Sequence, residues 1–260
     1  MKRTKDINFI LGCIMVAVVI TVLLVGIFYT PYDPGQMDVT VKIQAPSFSH
    51  LLGTDNFGRD ILSRIMEGGQ ITFLVAFCTV IIGGGVGTLI GAITGYYGGI
   101  VDEILMRFND ALASFPSILL ALVIVSIMDL GKLNVILALG IAFIPSFARV
   151  VRSEFITLKE MDFVKNAKLM GASDFRIMFL HILPNTKKIL RTSTMIGFNN
   201  AILAEAGLSY LGLGVQPPLP SLGRMLSESQ AYLFNAPWYA LAPGCMIVLT
   251  VLGISMLMDA

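Results

Sequence analysis

Between Arg149 and Arg191 this chain carries nine Lys or Arg and four Asp or Glu, and the sequence around them is dominated by long apolar runs. That contrast restricts the fold more than any other feature. At about 2.5–3.5 kcal/mol for each charge held at mid-bilayer, the island cannot cross a membrane. The flanking runs are long enough and apolar enough to do so. The 260 residues are 55% hydrophobic and only 13% charged, with a mean hydropathy of +0.80, which excludes an ordinary soluble domain. The sequence predicts an all-α polytopic membrane protein whose charged island is a water-exposed loop.

Six transmembrane helices are expected. The first is Ile7–Tyr29, whose 23 uncharged residues exceed the roughly 7–15 of a signal-peptide core, so that it stays in the membrane. The second is Ile71–Tyr96, the third Ala111–Met128 with Phe115-Pro116 able to bend it, and the fourth Leu133–Ala148. The fifth is Ile189–Leu208 and the sixth Ala240–Met258, with Trp238 and Tyr239 placed as interfacial anchors. Residues 1–70 read as an N-terminal anchor helix and an external segment, and 71–260 as the transmembrane domain. Counting Lys and Arg by alternate connections gives thirteen on the side of the N-terminus and the island against five on the other, which places the island and both termini in the cytoplasm.

Inside the island, Phe163, Ala167 and Met170 fall at i, i+4 and i+7, the spacing of one helical face. Gly171 can turn at a helix end, Ser173 can cap a second helix, and Pro184 discourages that helix from continuing. The residues alone allow either a helix–turn–helix protrusion or a plain solvated connector.

The stretch Phe163-Val-Lys-Asn-Ala-Lys-Leu-Met-Gly-Ala-Ser-Asp-Phe-Arg-Ile-Met-Phe-Leu-His-Ile-Leu-Pro-Asn185 resembles the cytoplasmic coupling loop, or EAA motif, of bacterial ABC-importer permeases. Three further stretches resemble the dipeptide, oligopeptide and nickel branch of that family: 50–64 (HLLGTDNFGRDILSR), 101–116 and 204–218. The resemblance implies a type I ABC-importer permease fold in a bacterial cytoplasmic membrane, with the coupling loop at 149–188. Phe163, Val164, Ala167, Met170, Gly171, Ala172, Ser173 and Asp174 would dock on a separate ATPase. Lys165 and Asn166 depart from the family's usual Glu and Ala. The implied partners are a second homologous permease, two ATP-binding subunits that bind ATP and Mg, and an extracytoplasmic solute-binding protein. The implied mechanism is alternating access, with short peptides, glutathione, nickel or a metal chelate as cargo.

Gly83, Gly87, Gly91, Gly95 and Gly99 recur every fourth residue and form a groove that another helix can approach, either for static packing or for sliding. No Gly-Lys-Ser or Gly-Lys-Thr follows, so ATP binding belongs to other chains. Glu205 is expected either to line a pathway or to sit at the outer interface, and Asn199 and Asn200 to line the pathway or to bond between helices. Cys13, Cys78 and Cys245 lie in apolar runs as packing residues. His50 and His181 form no metal cluster, which favours a peptide or chelate over a bare ion, and neither a zinc-protease nor a serine-hydrolase motif is present. The net charge of +1 gives no reason for a nucleic acid partner. A secondary carrier would call for an inverted repeat and ionisable pairs at mid-membrane, and neither is clear in the sequence.

Overall fold

The computed structural model describes residues 2–128 and 130–258. Asp259 and Ala260 lie outside the described residues, as do the side chains of the basic N-terminal residues. Regular structure among the described residues is helical, with one isolated bridge between Thr54 and Asp60. The helices are α1 (Lys2–Phe28), α2 (Ile61–Tyr97), α3 (Gly99–Ala113), α4 (Ser117–Ile127), α5 (Lys132–Lys159), α6 (Asp162–Leu169), α7 (Asp174–Arg176), α8 (Lys187–Tyr210), α9 (Leu222–Ser229) and α10 (Pro237–Met258).

Four of these are long and apolar enough to cross a membrane: α1 over Ile7–Phe28, α2, α5 and α10. The bent pair α3 and α4 counts as a fifth candidate. The residues of the fifth expected span lie in α8, which is not among the helices apolar enough to cross, Asn199, Asn200 and Glu205 diluting its apolar character.

The observed helices depart from the expected limits for physical reasons. α2 begins at Ile61, not near Ile71, because the Asp60 carboxylate accepts from the Ser63 backbone N–H at 2.8 Å and caps the first turn. Hydropathy hides the first two turns, since Arg64 and Glu67 lie within them. α5 continues past Ala148 to Lys159 because Arg149 and Arg152 are paired with Asp110 and Asp102 of α3. Ala111–Met128 is not one helix: α3 and α4 meet at 85°. The break falls at Phe115-Pro116, where the proline disfavours helical backbone in the residue before it. At 1.5 Å per residue the eleven residues of α4 rise only about 16 Å.

The chain forms two compact units, one of residues 1–77, 125–136 and 199–260, the other of residues 78–124 and 137–198. In the first, α1 packs along α10, and α10 against α9. Gly12 and Gly253 mark the closest approach of α1 and α10: a Cβ on Gly12 would lie 2.9 Å from the Gly253 carbonyl oxygen. The second unit is built around α5. Its core joins Ala92, Val151, Phe155, Val164, Ile177, Met178 and Ile182, drawn from α2, α5, α6 and the segment after α7.

Candidate functional site

In the charged island, α6 stops at Leu169 and Gly171 reverses the chain with φ of +79°. The Gly171 N–H donates to the Lys168 carbonyl at 3.0 Å and the Ala172 N–H to the Ala167 carbonyl at 3.1 Å, closing the helix end. Ser173 then caps α7, its hydroxyl oxygen accepting from the Arg176 N–H at 3.4 Å. A helix–turn–helix results.

Its inner face differs from the expected one. Val164 is buried in the core of the second unit, and Ala167 and Ala172 pack on that core. Phe163 is 37% exposed and Met170 is 88% exposed, so these two do not share a buried face with Ala167. The reason is where the helix ends: α6 stops at Leu169 with Met170 as its C-cap, and the stripe it buries is Val164 and Ala167, i and i+3. Leu169, Met170 and Phe175 consequently stand in the open at the tip of the turn.

The Asp174 carboxylate accepts from the Tyr96 hydroxyl at 2.6 Å and fastens the turn to the last residues of α2. Tyr96, Tyr97, Lys159, Lys165, Lys168 and Asp174 line an open groove of about 420 Å³. Lys165, one of the departures from the EAA pattern, adds positive charge there. Beyond α7, the backbone stays right-handed helical through a π turn at Ile177–Ile182 and a 3₁₀ turn at Leu183–Thr186, and then enters α8. Pro184 therefore does not end the helical path. The missing N–H is absorbed by the local change of hydrogen-bond period. Sequence reasoning missed Tyr96, Val151 and Phe155 as supports of the turn. The i, i+4 spacing of Val151 and Phe155 was the available signal.

Gly83, Gly87, Gly91 and Gly95 of α2 lie against α5, whereas Gly99, the fifth glycine of the spacing, begins α3 and has nothing within 4 Å of where its Cβ would stand. A Cβ on Gly83 would stand 2.9 Å from the Gly140 carbonyl oxygen, on Gly87 2.7 Å from that of Ile144, and on Gly91 2.5 Å from that of Ala148. On Gly95 it would stand 2.6 Å from the Phe155 Cβ. Contact this close leaves no room for a side chain, and it extends from the expected fourth span into the charged island. Next to it, the Arg152 guanidinium makes two hydrogen bonds of 2.6 Å to Asp102, and Arg149 donates to Asp110 at 2.8 Å. α3 is thus pinned along the charged end of α5, leaving Ile100, Ile104 and Phe108 exposed.

Glu205 is fully buried in the first unit. Its carboxylate accepts from the Thr72 hydroxyl at 2.8 Å and the Ser209 hydroxyl at 2.6 Å. Ser209 in turn accepts from the Val215 N–H at 3.1 Å, so one carboxylate organises α2, α8 and the turn after α8. Asn199 is buried, and its Nδ2 donates to the Val251 carbonyl at 3.2 Å and to the Ser255 hydroxyl at 3.1 Å. Asn200 is exposed.

A second polar centre surrounds the start of α2. The Arg59 Nε donates to Asp55 at 2.5 Å, Asp60 pairs with His50 at 3.0 Å, and Glu228 of α9 receives Arg59 at 3.0 Å, Arg64 at 3.1 Å and Arg224 at 3.1 Å. The Tyr239 hydroxyl lies 3.2 Å from Glu228. Tyr239 is therefore a fully buried member of this network and does not act as an interfacial anchor. Glu228 and Arg64 could not be foreseen as partners, being 164 residues apart. Among the described residues, no group of three or more His, Cys, Asp or Glu is arranged to hold a metal ion.

Known proteins resemble this chain in sequence and in fold. The dipeptide transport system permease protein DppC of Alkalihalophilus pseudofirmus is 40% identical over 250 residues, covering 96% of this chain and 82% of that protein. The glutathione transport system permease protein GsiD of Pectobacterium atrosepticum is 41% identical over 233 residues, covering 89% of this chain and 77% of that one. Among solved structures, an inward-facing conformation of the MetNI methionine ABC transporter matches with a TM-score of 0.58 at 21% identity, over 76% of this chain and 93% of that one. That likeness shows the fold, a type I ABC-importer permease. Residues 87–260, which carry the glycine groove from Gly87 onward, the turn at Gly171 and α8, match the family described as binding-protein-dependent transport system inner membrane component, and the chain belongs to that family.

Proposed function

We propose that this chain is the permease subunit of an ATP-driven importer of short peptides of dipeptide or glutathione type in a bacterial cytoplasmic membrane. The observation that carries this reading is the exposed tip Leu169, Met170 and Phe175, held by a capped turn whose inner side is welded to α2 and α5. A tip so mounted transmits force. Pushed by an ATPase that binds ATP and Mg, it moves α5 through Val164 and moves α8 through the unbroken helical path at Pro184. This chain does no bond chemistry. The spans switch between inward and outward access while a solute-binding protein supplies the cargo from outside. The substrates in the relatives' names favour peptides over nickel.

In this reading six spans cross the membrane, with α4 and α8 completing the count, and both termini are cytoplasmic. α3 lies along the inner surface, turned there by the 85° bend. Asn200, exposed on α8, faces the pathway, whereas Asn199 and Glu205 fix the position of α8. The test is mass-spectrometric identification of what co-purifies with the tagged chain from its native membrane. Two ATP-binding subunits and a second permease, with a peptide on any associated binding protein, are the expected result. Recovery of the chain alone, with transport driven by an ion gradient, would overturn the reading.

A further inference from the structure

The charge network at the start of α2 borders a cavity of about 170 Å³ with both charged and apolar lining. Arg59, Arg64, Arg224 and the carboxylate of Glu228 line it, together with Met37, Phe57 and the Pro217–Leu219 turn. Among the described residues, the three guanidiniums share two carboxylates at salt-bridge distance, Asp55 and Glu228. Arg64 is 2% exposed. Its Nε has no hydrogen-bond partner among the described residues, its nearest carboxylate oxygen being 3.6 Å away on Asp55. A buried guanidinium with an unmade hydrogen bond is costly unless an anion completes it. Guanidiniums are also the groups best shaped to take a carboxylate through paired N–H donors.

We propose that this cavity binds the C-terminal residue of a short peptide, the carboxylate on Arg64 and Arg224 and the side chain against Phe57, Pro218 and Leu219. The inference rests on the peptide-importer reading and adds a subsite to it. On the topology given above the cavity opens on the external side, where cargo arrives. An acidic side chain of the delivering protein offers the same chemistry, and the experiment separates the two.

The chain in lipid nanodiscs is titrated by calorimetry with alanyl-alanine and with alanyl-alanine amide. The free acid is expected to bind at least about tenfold more tightly than the amide, the range for losing a charged hydrogen-bond partner. Arg224→Gln, at the more exposed rim, is expected to weaken the acid by a similar factor and leave the amide unchanged, with its helical circular dichroism unaltered. Equal affinity for acid and amide, no binding of either, or unchanged acid binding in R224Q would overturn the proposal. So would an R224Q chain that loses only its association with the solute-binding protein. If the importer takes up dipeptides in cells while acid and amide bind this chain alike, the subsite fails and the importer reading stands. If the cells take up no peptide, the importer reading itself fails.

Discussion

Gly171 carries the sharpest residue-level consequence. Its φ of +79° is one that proline, fixed near −65°, cannot adopt, and its N–H holds the helix end at Lys168. Gly171→Pro is therefore expected to insert in the membrane at normal level but to separate ATP hydrolysis from uptake, with transport falling while ATPase activity persists. Normal uptake in that variant would contradict the coupling role. Glu205→Ala tests the other residue singled out. Leaving the Thr72 and Ser209 hydroxyls without an acceptor costs about 1–3 kcal/mol each, so the melting temperature in detergent should fall clearly, with Glu205→Gln milder. The residue types at the turn were legible in the sequence, since Gly171 and Ser173 fill positions that few residues can. The buried face was not. Deciding between Phe163 and Val164 requires knowing where α5 stands, and periodicity over eight residues does not supply that.

For the elements, the glycine groove separates contact from coincidence. Gly91→Ala would drive a Cβ to 2.5 Å from the Ala148 carbonyl oxygen, an overpacking cost of about 1–3 kcal/mol. Gly85 on the same helix has nothing within 4 Å, and there alanine should be neutral or stabilise by about 0.5–1 kcal/mol through helix propensity. Thermal stability of the two variants in the same detergent checks this, and equal loss in both would show that the groove is not a packing surface. The four-residue spacing was visible beforehand, whereas the partner helix was not. Helix ends were the least legible feature. Asp60 as a cap, the Asp102 and Asp110 pairs that let α5 run into the charged island, and the π and 3₁₀ turns that absorb Pro184 all depend on residues distant in sequence or on a change in hydrogen-bond period.

At the scale of the whole molecule, composition was enough to read a membrane class, because the cost of burying charge in lipid acts on every segment at once, and the placement of Lys and Arg predicts an orientation that cysteine labelling at Met170 checks. They were not enough to draw the third span, where the 85° bend leaves α4 short. The network around Glu228 was likewise invisible, since it is assembled from segments that the spans bring together. The central claim is that the turn at Gly171 is cytoplasmic and docks on an ATP-binding chain. The most direct test places one cysteine at Met170, 88% exposed, after Cys13, Cys78 and Cys245 are replaced by serine. Intact cells are treated with a membrane-impermeant maleimide, and a second sample of membranes with a short bifunctional thiol cross-linker. The coupling assignment predicts no maleimide labelling of intact cells and a cross-linked product containing an ATP-binding subunit. Labelling from outside, or a product containing no such subunit, would contradict it.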